Sequence, residues 1–175
     1  MRWTDVEKSQ PKLAAVGRER LIGPGVVLVG TIRRDGTPRI SAVEPLVLDG
    51  DLWLSMMEGS AKARDLRRDP RILIHSIVSG PDGGEGEFKI RGTADESTDH
   101  ATQQRYATVV KQTIGWAAVP GRFHLFRIDA EELSHIGYDK SGDQHVTLWP
   151  QGREYVRRAT TPTSLGDAEP ERRLL

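Results

Sequence analysis

Two Asp-Gly pairs, each set between apolar and β-branched segments, constrain the fold of this chain most strongly. In chain order the segments are Val26–Ile32, Asp35-Gly36, Arg39–Leu48, Asp49-Gly50 and Leu52–Met57. Asp-Gly is a preferred sequence of tight hairpin turns, because both residues accept the positive φ that such turns require. The pattern therefore predicts three antiparallel strands joined by two hairpins.

A short basic helix is predicted directly after these strands. Ser60 is a suitable N-cap, and Asp69-Pro70 is a suitable stop, since proline disfavours the helical conformation in the residue before it. A longer helix is predicted from about Asp99 to Gln112, capped by Ser97 or Thr98.

The rest of the chain alternates in the manner of strands. Further strands are predicted at Arg71–Val78, Glu87–Thr93, Phe123–Asp129, Glu132–Tyr138, His145–Trp149 and Arg153–Arg158. The strand Phe123–Asp129 is apolar on both faces, so we expect it to be covered on both sides. About seven or eight strands with about two substantial helices indicate a mainly β chain that forms a closed or nearly closed antiparallel barrel.

The length of 175 residues suits one domain. We expect an N-terminal arm over residues 1–12, one domain over 13–158, and a mobile C-terminal tail over 159–175. The tail is predicted because its proline, threonine and charged residues offer few apolar side chains to bury. The glycine-rich segment 79–86 is expected to form a loop.

Composition excludes several classes of function. Lysine plus arginine number 25, as do aspartate plus glutamate, so no global field attracts nucleic acid or an anionic membrane. The absence of cysteine excludes disulfides and cysteine metal sites, and the five histidines show no paired ligand spacing, so we expect no metal. No segment is long and apolar enough for a signal peptide or a membrane span, which predicts a soluble cytoplasmic protein.

The start of the short helix has the chemistry of a phosphate site. Gly59-Ser60-Ala61-Lys62 supplies a hydroxyl group, free backbone N–H groups and a lysine within the first turn of the helix. Such a helix start binds anions through the N–H groups and the charge together. Arg64, Arg67 and Arg68 follow, and they could extend the basic surface beyond a bound phosphate.

Several segments, taken in order, resemble one known superfamily. They are Val26–Gly30, Gly36–Ser41, Leu52–Ser55, Gly59–Lys62 and Arg68–Arg71. This order resembles the pyridoxamine 5'-phosphate oxidase-like superfamily, and most of all its flavin and deazaflavin oxidoreductases. The resemblance covers roughly Leu13 to Tyr138. It implies a split antiparallel β-barrel of the FMN-binding type, which forms a homodimer and holds its cofactor in two symmetric grooves between the subunits.

The resemblance also implies roles for individual residues. Lys62 would contact the cofactor phosphate, beside Ser60, the Ala61 backbone and Gly59. The other implied cofactor contacts are Arg39 and Ser41 at the phosphate or ribityl chain, and Met56 and Met57 at the groove by side chain or backbone. Arg67 is a further candidate contact, at the cofactor tail, because of its place on the basic helix. Trp116 lies in a loop bounded by Gly115 and Pro120, and from this position its ring would either cap the partner's groove or pack at the dimer interface.

The chain departs from the superfamily pattern in two places, one beside the phosphate lysine and one at the C-terminal end. Ala61 stands where many members carry an arginine or lysine, so one expected positive charge is missing. The C-terminal substrate-binding pattern of true pyridoxamine phosphate oxidases is not found, which argues against that substrate.

The resemblance implies an oxidoreductase that transfers hydride between a bound deazaflavin, coenzyme F420, and a small organic substrate. In such enzymes the cofactor carries the reactive centre, so no catalytic side chain is predicted. Two alternatives stay open. One is an FMN-dependent oxidase or reductase of the same fold, and the other is a non-catalytic protein that binds flavin, deazaflavin or haem.

Overall fold

A computed structural model describes residues 1–80 and 83–170, which form one antiparallel sheet with helices against it. The strands are β1 (Val27–Ile32), β2 (Pro38–Val43), β3 (Pro45–Leu48), β4 (Asp51–Met57), β5 (Arg71–Ser76), β6 (Glu87–Glu96), β7 (Phe123–Tyr138), β8 (Gln144–Trp149), β9 (Arg153–Thr161) and β10 (Ser164–Pro170). The helices are α1 (Trp3–Ser9), α2 (Pro11–Gly17), α3 (Ala61–Arg68) and α4 (His100–Ile114), and a π-helical turn spans Arg18–Ile22. Within the described ranges, no helix is both long and apolar enough to cross a membrane.

The long strand β7 organises the sheet. It pairs with β6 along one edge, and along the other edge its first half pairs with β4 and its second half with β8. The order from one end is β10-β9-β8-β7-β6-β5-β1-β2, with β4 and β3 branching from β7. The sheet does not close on itself, which is the arrangement of a split barrel and confirms the predicted mainly β fold.

A bulge bends the β6–β7 pair where the sheet turns. Arg91 pairs with Glu132 and Gly92 pairs with Ala130, so Glu131 is the extra residue of β7. A Cβ atom at Gly92 would lie 2.1 Å from the carbonyl oxygen of Asp129, so only glycine fits at this position. The extra residue interrupts the alternation of side chains, so one continuous strand was predicted as two, Phe123–Asp129 and Glu132–Tyr138.

Both predicted hairpins are present, but they do not form one three-stranded meander. β2 pairs with β1, whereas β3 pairs with β4, and the predicted strand Arg39–Leu48 is interrupted between Val43 and Pro45. Proline cannot donate to a strand ladder and is tolerated as the first residue of a strand, so Pro45 separates the two ladders. The turn at Asp49-Gly50 has φ values of 53° and 79°, as its sequence predicted.

The N-terminal residues belong to the core, which corrects the expectation of an arm over residues 1–12. Trp3 and Val6 of α1 are fully buried, and with Leu13 of α2 they join the larger apolar cluster beneath the sheet. Trp3 and Val6 stand at helical i, i+3 spacing, so the two side chains share one face of the helix. That face needs the sheet to cover it, which holds the helix in place.

The apolar strand β7 is covered on both faces, as predicted. Phe126 and Ile128 lie in the larger cluster, whereas Phe123 and Leu125 form a second cluster with Tyr106 of α4. Helix α4 therefore covers the second face within the same chain. Its N-cap is Asp99 rather than the expected Ser97 or Thr98, because the Asp99 carboxylate accepts a 2.8 Å hydrogen bond from the backbone N–H of Thr102.

The C-terminal segment forms strands up to residue 170, which corrects the expectation of a tail from residue 159. β9 continues to Thr161 and pairs with β10. The Asp143 carboxylate accepts hydrogen bonds from the Ala159 backbone N–H at 2.8 Å and from the Arg158 guanidinium at 2.6 Å. These polar contacts hold the end of β9 from Arg158 onwards, where the chain offers few apolar side chains to bury. Residues 171–175 of that tail and residues 81–82 of the predicted loop lie outside the described residues.

Helix α3 is fixed to the first hairpin by one buried carboxylate. Asp65 accepts hydrogen bonds from the Thr31 hydroxyl at 3.1 Å and from Arg39 Nε at 2.7 Å. Arg68 lies 3.4 Å from the other carboxylate oxygen. Burial alone would raise the pKa of Asp65, but these hydrogen bonds and charges outweigh it and lower the pKa below its usual range.

Replacing this carboxylate should destabilise the fold. We expect Asp65→Asn to lower the free energy of unfolding by about 2–4 kcal/mol, because it leaves Arg39 half-buried without its counter-charge. Urea unfolding at pH 7 measures this. Asp95→Asn, which removes the partner of Arg127 in an exposed ion pair, is the matched control and should cost less than about 1 kcal/mol.

The pH dependence of the same variant tests the cause. A carboxyl group whose pKa is lowered by folding stabilises the protein above its unfolded-state pKa, and that contribution is lost as the pH falls towards the folded-state pKa. The difference between wild type and Asp65→Asn should therefore be full at pH 7 and shrink in acid. A difference that stayed constant down to pH 3 would contradict an electrostatic origin.

Candidate functional site

A cavity of about 570 Å³ lies where the start of α3, the end of β4 and the end of α4 meet. The junction between β2 and β3 forms its remaining wall. The lining residues are Ala42, Val43, Glu44, Ser55, Met56, Met57, Lys62, Ile114 and Trp116. Apolar side chains thus dominate the cavity, with one cation and one carboxylate at its walls.

Lys62 is the cation of the cavity. Ser60 caps helix α3, and its hydroxyl oxygen accepts a 3.4 Å hydrogen bond from the Ala63 backbone N–H, which places Lys62 in the first turn. Within residues 1–80 and 83–170, the Lys62 ammonium makes no hydrogen bond and no ion pair. A cation without a counter-charge at a helix start, lining a cavity, is suited to bind a phosphate group.

The arginines of α3 are more engaged than Lys62. Arg67 forms a 3.1 Å ion pair with Glu96, and Arg68 contacts Asp65 and also donates to the Ile32 carbonyl oxygen. Arg64 donates to the Gly59 carbonyl oxygen and has no carboxylate partner in the described part of the chain. Of these three arginines, Arg64 therefore keeps the most available charge.

The glycine turn before α3 is supported by two residues that the sequence analysis did not single out. Gly59 has a φ of 71°, and its backbone N–H lies 3.4 Å from Nε2 of His124. His124 Nδ1 lies 2.6 Å from Glu96, which also binds Arg67. Glu96 thus orients the imidazole ring that faces the turn. Sequence spacing gave no signal for this contact, because 65 positions separate Gly59 from His124.

The predicted site residues fall into three groups. Those that line the cavity are Met56, Met57, Lys62 and Trp116. Those that form the adjoining turn and helix start are Gly59, Ser60 and Ala61. Those outside the lining are Arg39, Ser41 and Arg67. Arg39 is held by Asp65 instead, and the end of β2 contributes Ala42 and Val43 to the cavity.

Trp116 forms a wall of the cavity in its own chain. It packs edge-on against Phe123, with ring centroids 5.6 Å apart, and belongs to the second apolar cluster. Gly115, with a φ of 75°, ends α4 and turns the chain so that the indole ring reaches this position. The ring offers an apolar surface beside the free cation.

Three further polar groups lie at this site and were not predicted as functional. The Tyr106 hydroxyl donates a 2.9 Å hydrogen bond to Ser55 Oγ, and Glu44 stands at the cavity wall. Burial raises the pKa of Tyr106, the Ser55 hydrogen bond lowers it, and the charge of Glu44 raises it further, so the net pKa is raised. Tyr106 was recognised from the sequence only as part of the apolar spacing of α4.

Comparisons with known proteins place these features in a family. The family model described as pyridoxamine 5'-phosphate oxidase matches residues 14–137, a range that contains the cavity and all of α3. No curated protein sequence matches the chain at a significant level.

Solved structures with the same fold come from proteins with different descriptions. An F420 reductase is 19% identical, with a TM-score of 0.53, and the alignment covers 66% of this chain and 94% of that one. A Clostridium acetobutylicum protein related to general stress protein 26, of the pyridoxinephosphate oxidase family, is 16% identical, with a TM-score of 0.58 and coverage of 85% and 97%. A haem-binding protein from Mycobacterium smegmatis is 19% identical, with a TM-score of 0.55 and coverage of 76% and 57%.

Identities this low show a shared fold and leave function to the site itself. The family model is the stronger finding, because it matches well over half of the chain and includes the helix start and cavity described above. The open antiparallel sheet agrees with it independently. On the match and the fold together, the chain belongs to the pyridoxamine 5'-phosphate oxidase family.

Proposed function

We propose that this protein is an oxidoreductase that transfers hydride between a bound deazaflavin, coenzyme F420, and a small organic substrate. The observation that carries the proposal is the free Lys62 ammonium at the start of α3, facing a cavity with apolar walls. A phosphate-bearing cofactor with a flat ring needs both features. No catalytic side chain is assigned, since the cofactor supplies the redox chemistry.

The residues of the cavity fit such a group. Lys62 and the backbone N–H groups behind Ser60 would hold the phosphate. The side chains of Met56, Met57 and Trp116 would border the ring and exclude water from it. The protein therefore contributes binding, orientation and a low-dielectric surrounding.

FMN is the second candidate cofactor, and the family match supports it, because members of the pyridoxamine 5'-phosphate oxidase family bind FMN. The two cofactors share the phosphate anchor but differ beyond it. F420 carries an anionic oligoglutamate tail past its phosphate, whereas FMN ends there. Arg64 is the arginine of α3 that is best placed to meet the tail, since Arg67 and Arg68 have carboxylate partners.

A non-catalytic haem-binding protein is a weaker candidate. It is supported by structural neighbours that are described as haem-binding. However, no histidine is among the residues that line the cavity in the described part of the chain. Haem iron is usually held by an axial histidine, cysteine, methionine or tyrosine, so only the two methionines at this cavity could serve.

A homodimer with its cofactor grooves at the interface is part of the proposal. The two apolar faces of β7 are not available for it, because the chain's own core and α4 cover them. Support comes instead from the outer face of β2, β1 and β5. There Ile40 and Leu73 flank Gly30 in register and are 71% and 46% exposed. A second copy would bury this apolar patch.

The dimer can be tested by charging that patch. Sedimentation equilibrium at micromolar concentration should show a wild-type dimer, and the double variant Ile40→Lys, Leu73→Lys should shift it to monomer. Val119→Lys, at a residue that is also exposed but lies in the loop after α4, is the control and should remain dimeric. A monomeric wild-type protein would contradict both the dimer and a shared groove.

The phosphate anchor is tested by removing one charge. We expect Lys62→Met to weaken binding of either cofactor about 10- to 100-fold, because a charge-assisted contact to phosphate is lost. Lys62→Glu should nearly abolish binding through added repulsion. Both variants should keep the wild-type melting temperature, since Lys62 has no partner in the described chain to lose.

Glu44→Gln is the matched charge control in the same cavity. It should leave affinity unchanged or improve it about twofold, because it removes a negative charge that repels the phosphate. Isothermal titration calorimetry measures the cofactor affinity of all three variants. A folded Lys62→Met protein with wild-type affinity would exclude Lys62 from the site.

The choice of cofactor is tested by parallel titrations of F420 and FMN at low and high salt. We expect F420 to bind more tightly, and its affinity to fall more steeply with salt, because salt screens the contacts between its tail and the arginines. Arg64→Gln should reduce F420 affinity and leave FMN affinity unchanged. Tighter FMN binding at every salt concentration would replace the deazaflavin assignment by a flavoprotein.

A further inference from the structure

Ser55 and Tyr106 form a hydroxyl pair at the cavity that the proposed cofactor contacts do not use. Ser55 lies on β4, 7% exposed and among the lining residues, whereas Tyr106 lies on α4 and is 0% exposed. Tyr106 Oη is 2.9 Å from Ser55 Oγ. Tyr106 of α4 therefore contacts a residue of the cavity wall from behind.

The buried position of Tyr106 fixes the direction of this hydrogen bond. A buried hydroxyl proton needs an acceptor, and Ser55 Oγ is the acceptor that the Tyr106 hydroxyl has in the described structure. The phenol proton is thus committed to Ser55. A phenol is protonated at neutral pH in any case, and burial raises the pKa of Tyr106 further, so the group remains a donor.

The proton of Ser55 itself is then left for the cavity. Ser55 Oγ already accepts from Tyr106, and in the described residues no side-chain hydrogen bond is donated by Ser55. Glu44, the carboxylate at the cavity wall, makes no hydrogen bond to Ser55. Because the oxygen of Ser55 accepts from Tyr106, the hydroxyl proton of Ser55 can point only towards other acceptors, and it is free to donate into the cavity.

We propose that Tyr106 is a positioning residue that turns the Ser55 hydroxyl into the cavity, where Ser55 donates a hydrogen bond to a carbonyl oxygen or ring nitrogen of the bound molecule. The identity of that molecule rests on the proposed function. The acceptor atom belongs either to the ring of the cofactor or to the small substrate beside it. The shared chemistry is a conjugated acceptor, on which a preorganised donor stabilises negative charge.

The pair can be tested with Ser55→Ala, Tyr106→Phe, the double variant and the control Thr108→Ala. Thr108 is also a hydroxyl-bearing residue of α4, but it is exposed and its hydroxyl donates to the Gln104 carbonyl oxygen. Each protein is titrated with F420 and with FMN, and the absorption spectrum of the bound cofactor is recorded. Circular dichroism and melting temperature establish that each variant is folded.

If the acceptor is on the cofactor, Ser55→Ala should weaken binding about three- to tenfold and shift the absorption band of the bound ring. Tyr106→Phe should shift the band in the same direction, with a smaller loss of affinity. The double variant should resemble Ser55→Ala alone, because Tyr106 acts through Ser55. Thr108→Ala should match the wild type in every measurement.

If the acceptor is on the substrate, the variants should bind the cofactor with the wild-type affinity, and the absorption spectrum of the bound cofactor should be unchanged. Reductase assays with menadione as the electron acceptor should then show a lower kcat for Ser55→Ala and Tyr106→Phe, again with no further loss in the double variant.

Two results would overturn the inference while the proposed function stands. In the first, the wild type binds a cofactor but both single variants match it in affinity, spectrum and kcat. In the second, the effects of Ser55→Ala and Tyr106→Phe simply add in the double variant. Wild-type protein that binds neither F420 nor FMN would instead contradict the proposed function and this inference together.

Discussion

The buried carboxylate of Asp65 is the contact on which the candidate site depends. It joins α3 to the first hairpin through Thr31 and Arg39, and it also lies beside Arg68. The helix carries Lys62 in its first turn, so its position sets where the free cation faces. Asp65 is the counter-charge of Arg39 and Arg68, so these two arginines are held in structural contacts. Lys62, at the helix start, stays available for a ligand.

Local sequence signals predicted the parts of the fold that local chemistry determines. The Asp49-Gly50 turn, the Ser60 cap and the stop at Asp69-Pro70 all depend on residues within a few positions of each other. The predictions were wrong where contacts between residues far apart in the sequence determine the structure. The N-terminal helix is held by burial of Trp3 beneath the sheet, and the end of β9 is held by the Asp143 carboxylate. Neither partner can be identified from the segment itself.

The candidate site likewise contains residues that the sequence predicted and residues that it did not. The helix-start motif predicted Lys62, the family resemblance added Met56 and Met57, and the loop position suggested Trp116. All four line one cavity. The residues that orient this site were missed, because each acts across the fold. Tyr106 reaches Ser55 over a separation of 51 positions, and His124 lies 65 positions from the turn that it faces. Such pairs have no sequence periodicity, so only the assembled sheet reveals them.

The cavity offers a ligand two different polar groups, the ammonium of Lys62 and the hydroxyl of Ser55. Lys62 is charged and has no partner in the described chain, so it attracts an anion but gives little direction. The Ser55 hydroxyl is neutral, but its orientation is fixed by the buried phenol of Tyr106 behind it. A ligand with a phosphate at one end and a ring with hydrogen-bond acceptors at the other would satisfy both groups at once. The charge would anchor the phosphate end of the ligand, and the hydroxyl pair would fix how the ring lies in the cavity.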